Sequence, residues 1–289
     1  MVEVPASVLS RYRYWSLYNS PYAAHARGCA IDLYPPPGTA PSPVAGKVLD
    51  TRTVRAPPKP YAPEHDHLIV IDTEEAPSGS PYYRTPDGVS AVARVLHVEP
   101  TVEPGEVVDV GDDLGEPVRA GFFAPWVENH LHLGFRDRNA DPYRAGGSLR
   151  IDPDVEVTGL RWDGTGTVVE TGDTYALLDV PEHPDPGASF VGIEADGGGV
   201  LDGGLPHYDG GGVLTASGAS DDRTVGLLGK SVGKRRGRTI EWSNPTVVVN
   251  GDPITGLSLF VSRTGSFGAK LICPERPFQD GDRVTVRIE

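Results

Sequence analysis

Short runs that alternate apolar and polar residues dominate this chain. The clearest is Asn129-His130-Leu131-His132-Leu133-Gly134-Phe135-Arg136. That rhythm predicts a half-buried β-strand. Side chains two apart on a strand share a face, so His130 and His132 point one way while Leu131 and Leu133 turn toward a core. Similar runs predict strands near residues 30–34, 46–54, 67–73 and 91–98. Residues 102–116 read as short strands joined by tight glycine turns. Further on, strands are expected near 166–171, 174–180, 190–195, 246–250, 257–262 and 283–288, with glycine-rich loops at 197–204 and 210–212. No window supports a helix of three turns. The pattern is that of an all-β protein with two domains. Residues 1–150 form the first, residues 151–155 a junction, and residues 156–289 a β-sandwich-like or barrel domain.

Composition sharpens this picture. Among 289 residues there are 36 Gly and 28 Pro, which leaves little room for helix. The formal charge is -14, with 40 acidic and 26 basic residues, and lysine occurs only at positions 47, 59, 230, 234 and 270. An acidic, lysine-poor surface is a halophilic pattern, tolerable where salt screens charge within roughly 3 Å at 1 M. The acidic balance argues against a nucleic-acid partner. The one basic run, Lys230 to Arg238, reads as a solvated loop. No stretch approaches the ~20 apolar residues of a membrane span. The first ten residues lack the basic and apolar regions of a signal peptide, so a cytoplasmic location is expected. The aromatic stretch 1–24 reads as a lead-in that packs on the first domain or lines a cleft. Two cysteines, Cys29 and Cys273, are too few for a disulfide framework.

Six of the eight histidines fall in the first 150 residues. One His-x-His pair does not make a zinc site, because zinc takes three or four protein ligands. The other ligand-type residues, however, fall in a recognisable order: His25, Asp32, His97, then His130-Leu131-His132. Around them stand Ala30-Ile31-Asp32-Leu33-Tyr34-Pro35 with Gly38 to Val48, Val95-Leu96-His97-Val98, and Val107-Val108-Asp109-Val110-Gly111 with Leu114-Gly115. This arrangement resembles the lysostaphin/LytM-type zinc endopeptidases, the duplicated-hybrid-motif peptidases, over about residues 25–136. The resemblance implies an antiparallel β-sheet domain that binds Zn2+ through His25, Asp32 and His132. It implies His97 and His130 as the catalytic pair beside the metal, and a peptide or glycopeptide as substrate. Zinc of this kind lowers the pKa of a bound water and polarises the scissile carbonyl. A neighbouring imidazole can then move protons.

Two departures from the family pattern stand out. The family spaces its first His and its Asp as H-x-x-x-D, whereas His25 lies seven residues before Asp32. Either a bulge still delivers His25, or the first ligand is missing, or Cys29 takes its place; the default for Cys29 is a buried thiol. The approach to the His pair, Ala124 to Asn129, lacks the family's turn rich in Gly, Ser and Thr. His65 and His67 flank Asp66 and are expected in a turn beside the site entrance. His183 and His207 are expected in surface loops. A second reading keeps the fold without catalysis, as a binding or scaffolding module. A third is a zinc protein active on carbohydrate or glycopeptide whose C-terminal domain grips the ligand.

Overall fold

The computed structural model describes residues 1–81, 83, 88, 90–214 and 223–289. Strands carry nearly all of its regular structure, as the all-β reading expects. Two α-helices, Ala6–Leu9 and Ala23–Ala26, are single turns. The chain divides into two compact units. The first comprises Met1–Trp15 and Gly28–Val155, the second Ser16–Arg27 and Glu156–Glu289.

In the first unit six strands lie side by side in the order Ala30–Tyr34, Leu131–Asp137, Ala91–Leu96, His65–Asp72, Gly46–Arg55 and Val107–Val108. Each neighbouring pair is antiparallel. The alternation in sequence becomes two faces. Ile31, Leu33, Leu131 and Leu133 have no exposed surface. Burying each such side chain contributes about 1.5–3 kcal/mol, enough to fix the register, because a slip by one residue would turn the whole set outward. The expected junction at 151–155 is instead largely a strand. Ile151–Asp154 pairs in parallel with Val2–Pro5 and so belongs to the first unit. Tyr12 and Trp15 are buried, so the aromatic lead-in does pack into the fold.

The second unit holds a twelve-stranded sheet whose neighbouring strands pair antiparallel. Several sequence expectations change here. The glycine-rich segments expected as loops are largely strands, Val200–Leu205 and Gly210–Leu214, paired with each other. Their glycines admit bulky neighbours. A Cβ on Gly212 would lie 2.1 Å from the Tyr18 ring, and one on Gly211 would lie 2.1 Å from the Trp242 ring. The basic run is also a strand, Lys230–Arg236, flanked by Arg223–Leu227 and Thr239–Trp242. Val232 and Arg235 are buried while Lys230 and Lys234 are exposed, a pattern set by a register shift at Val232 rather than by strict alternation. His183 is buried rather than on a surface loop. Its Nδ1 accepts the Asp185 amide proton at 3.1 Å, and its ring meets Phe267 edge-on. His207 is half-buried. Both cysteines are buried free thiols. Among the described residues, no helix is long and apolar enough to cross a membrane.

Candidate metal centre

Asp32 and His132 meet because of strand register. They are direct cross-strand partners on the Ala30–Tyr34 and Leu131–Asp137 strands. Directly paired residues project to the same face, so the carboxylate and the imidazole rise together above the buried leucines. His132 Nδ1 lies 2.9 Å from Asp32 Oδ1. His130 sits just ahead of the strand, on the same face by the period of two, with Nε2 3.4 Å from the same Asp32 oxygen. Its Nδ1 is directed at the Glu128 carbonyl, at 2.9 Å. That bond assigns the proton to Nδ1 and leaves Nε2 facing the cluster.

His97 arrives differently. The Ala91–Leu96 strand runs antiparallel to Leu131–Asp137, with Leu96 opposite His132, and His97 follows at once. Its backbone has φ of +72°, in the left-handed region. A non-glycine residue there costs on the order of 1–3 kcal/mol and persists only where its surroundings hold it. Here the His97 amide donates to the His67 carbonyl at 3.3 Å, and the His97 carbonyl accepts from Val118 N–H at 2.9 Å. The reversal brings the imidazole to ring-centroid distances of 5.3 Å from His130 and 5.7 Å from His132.

Behind His97 stands Asp66, fully buried, with Oδ2 2.5 Å from His97 Nδ1. Burial alone would push the Asp66 carboxyl up. The hydrogen bond and charge of His97, with the His67 amide, outweigh it and hold Asp66 below the usual carboxylate value. Burial pushes His97 down and exceeds the opposing pull of Asp66, so its resting state is the neutral imidazole. With an ionised carboxylate at Nδ1, the proton sits on Nδ1 and Nε2 carries a lone pair. This carboxylate–imidazole pair is invisible in the sequence, where Asp66 is one acid between two more conspicuous histidines. His65 and His67 do not form the expected turn; they lie on the His65–Asp72 strand. The alternating period is what separates them from Asp66, and it was the available signal.

His25 lies in the short helix Ala23–Ala26 and is almost fully buried. Its Nδ1 faces the Leu17 carbonyl at 2.7 Å, which assigns the proton to Nδ1 and frees Nε2. His25 belongs to the second unit, whereas Asp32 and His132 belong to the first. The donor set fits zinc. Two imidazole nitrogens and one carboxylate oxygen are borderline ligands of the type zinc takes, and three protein ligands leave coordination positions open. Cys29 is not part of this trio.

Aromatic side chains close over the histidines. Phe123 stacks on His130 with ring centroids 4.3 Å apart and meets His97 edge-on at 4.6 Å. Tyr34 lies against His130 at 4.8 Å and stacks on Tyr14. The loop bearing Phe123 is pinned by Arg119, which donates to the carbonyls of Ala124, Pro125 and Val127. Tyr61 donates its hydroxyl proton to the Phe123 carbonyl at 2.8 Å. Phe123, just ahead of the segment Ala124 to Asn129, and Tyr34 therefore form an apolar wall. His97 and His130 are only 5% and 3% exposed, which makes that wall the barrier to any ligand approaching them.

Family models match the two parts of the chain in turn. Residues 3–153 match the DUF8155 N-terminal domain, a domain of unknown function, and residues 158–289 match the DUF8155 C-terminal domain. The chain belongs to the DUF8155 family. His25, Asp32, Asp66, His97, His130 and His132 all fall inside the DUF8155 N-terminal domain. No curated protein matches this member of DUF8155. Among solved structures it is similar to the NMR solution structure of lysostaphin, at 14% identity, covering 93% of this chain and 96% of that one, with a TM-score of 0.27.

Proposed function

We propose that this protein is a zinc-dependent hydrolase of a peptide or other amide bond, of the lysostaphin/LytM type. In this reading His25, Asp32 and His132 hold the metal, and His97 and His130 are the catalytic pair. The observation that carries the reading is the convergence of Asp32, His97 and the pair His130 and His132, from three remote stretches of sequence, on one face of one sheet. Bound zinc supplies a Lewis acid that activates water and polarises a carbonyl. His97 is prepared to accept a proton at Nε2, because Asp66 fixes its tautomer and its charge stabilises the imidazolium that results. His130 presents its own Nε2 from the other side, where it can take or return a proton. The rings of Phe123 and Tyr34 against His130 limit the access of water to the histidines. Peptides or glycopeptides are the substrate class that fits this chemistry.

The test is incubation of the zinc-loaded full-length protein with peptide and glycopeptide libraries, with products read by mass spectrometry. Chelator-sensitive cleavage that is lost in His97→Ala supports the proposal. Cleavage unchanged by the chelator or by that substitution refutes it.

A second reading draws on the cover over the histidines. With Phe123 stacked on His130, the centre resembles one kept for its architecture, as a binding or scaffolding module without turnover. Absence of cleavage in a protein that binds zinc and a peptide ligand would favour this reading.

A further inference from the structure

A cavity of about 260 Å³ opens at one edge of the twelve-stranded sheet, wholly within the second unit. One wall is the edge strand Arg223–Leu227, backed by Arg235 on the neighbouring strand; the other is the glycine turn of residues 195–199. Arg223 stands directly opposite Arg235 in the register, so the two side chains share the face that lines the cavity. Arg235 is buried and forms the floor, where its Nε donates to the Gly237 carbonyl at 2.5 Å. Arg223 is exposed and stands at the rim. In the turn, Ala195 N–H donates to the Gly199 carbonyl and Gly198 N–H to the Ala195 carbonyl, both at 2.9 Å. Gly198 and Gly199 have φ of +89° and +88°, the left-handed region that favours glycine. Asp196 N–H ties the turn to the edge strand through the Gly226 carbonyl at 2.9 Å, and its carboxylate accepts the Gly229 amide proton at 2.9 Å. A Cβ on Gly197 or Gly198 would meet nothing within 4 Å, so these glycines leave the cavity open. The surroundings are strongly basic. From Arg223 to Arg238 there are six basic residues and no acidic one, in a chain of net charge -14.

We propose that this cavity binds the phosphate group of a small phosphate monoester, held between Arg223 and Arg235 and against the glycine turn. Like charges placed directly opposite on neighbouring strands repel, and an anion lodged between them turns that repulsion into attraction. The choice of phosphate follows from geometry. One guanidinium already satisfies a carboxylate through a bidentate pair, whereas a phosphate monoester carries close to two charges and three acceptor oxygens, enough for two arginines. Glycine turns that pass through left-handed backbone form concavities suited to anions, and the missing side chains let the ligand approach the main chain closely. The size sets the class of ligand. Sites for drug-sized molecules run to roughly 300–1,000 Å³, so a cavity of about 260 Å³ suits a phosphate with a short substituent. The site draws on no residue of the candidate metal centre and stands or falls apart from the zinc reading.

The test is isothermal titration calorimetry of the full-length protein at constant ionic strength and about pH 8, where a phosphate monoester is a dianion. Inorganic phosphate and glycerol phosphate are the probes, and acetate is the comparison. The variants are Arg223→Gln, Arg235→Gln, Gly197→Asp and, as a control of equal charge change, Lys234→Gln. Lys234 pairs with Thr224 and Glu241 in the register and does not line the cavity. The wild type is expected to take up one equivalent of either phosphate and to bind acetate more weakly. Each arginine variant should weaken phosphate binding about 10–100-fold, the loss of a charge-assisted hydrogen bond. Gly197→Asp, which sets a carboxylate in the open space of the cavity, should abolish it. Lys234→Gln should leave it unchanged. Arg223 is exposed, so Arg223→Gln decides the matter if Arg235→Gln does not fold. A wild type without saturable phosphate binding, or one that binds acetate as tightly as phosphate, overturns the proposal. So does exclusion of glycerol phosphate, or an equal loss in Lys234→Gln and Arg223→Gln.

Discussion

Replacing Asp66 with Asn tests how the His97 ring is set. The two carboxylate oxygens of Asp66 have different tasks. Oδ1 accepts the His67 backbone N–H at 2.7 Å, and Oδ2 lies 2.5 Å from His97 Nδ1. An asparagine in this pocket must keep its oxygen on the His67 amide, because an N–H facing an N–H leaves two buried donors opposed. Its NH2 then faces His97 Nδ1 and donates to it. The His97 proton is forced onto Nε2, and the ring loses the lone pair that the proposed chemistry uses. A charge-assisted bond contributes roughly 1.5–3 kcal/mol and a neutral replacement about 1, so stability should fall by about 1–2 kcal/mol. The catalytic loss is larger. A correctly placed acid or base contributes about 10²–10⁴ to the rate, and the wrong tautomer forfeits most of it. The direct assay needs no substrate: long-range proton–nitrogen NMR correlation of the His97 ring reports which nitrogen is protonated. The expected result is Nδ1–H in the wild type and Nε2–H in Asp66→Asn. A His97 ring that remains protonated at Nδ1, in a variant of unchanged stability, would refute the assignment of Asp66 as its orienting group.

Three further outcomes are expected. Phe123→Ala removes a ring that is 4% exposed, should cost about 3–5 kcal/mol, and should speed chemical modification of His97 and His130 by an imidazole-directed acylating reagent; equal modification rates would show that the ring is not the cover. Gly212→Ala places a Cβ 2.1 Å from the Tyr18 ring and should lower the stability of the protein by about 1–3 kcal/mol in denaturant unfolding, an effect whose absence would mean that Tyr18 repacks freely. Burial pushes the His207 pKa down to about 4, against the unfolded value of about 6.5. The fold keeps this ring neutral, so its contribution, on the order of 3 kcal/mol, is complete above about pH 6.5 and is lost as pH falls through about 4. His207→Asn should flatten that part of the acid-unfolding curve, and an unchanged slope between those pH values would assign the acid sensitivity to other groups.

The sequence made the strands of the first unit legible because one face of each is buried and the other is not. The alternation around His130 and His132 located the strand, its inward leucines and its outward histidines together. It did not show that His132 stands opposite Asp32, since register depends on pairing across 100 residues of chain. His97 could be placed at the end of a strand, but its left-handed backbone depends on a hydrogen bond donated to the His67 carbonyl and one accepted from Val118 N–H. Asp66 was hidden between two histidines that turned out to share its strand without sharing its face. In the second unit the glycines of 210–212 suggested loops because local propensity disfavours glycine in strands, whereas the actual cause is close approach by the Tyr18 and Trp242 rings. The basic run carries no clean period of two, because a register shift at Val232 buries Val232 and Gly233 in succession and Arg235 two residues on. Asp202 carried no local signal, for it lies between Leu201 and Gly203, and its buried carboxyl accepts from the Ser16 hydroxyl and the Leu17 and Tyr18 N–H groups, 184 to 186 residues away.

The most direct measurement is the zinc content of the purified full-length protein after loading and exhaustive removal of free metal, compared among the wild type, Asp32→Ala and His132→Ala. The account predicts a single tightly held equivalent in the wild type and none in either variant, with all three proteins folded. A wild type that retains no zinc, or variants that keep a full equivalent, would contradict it.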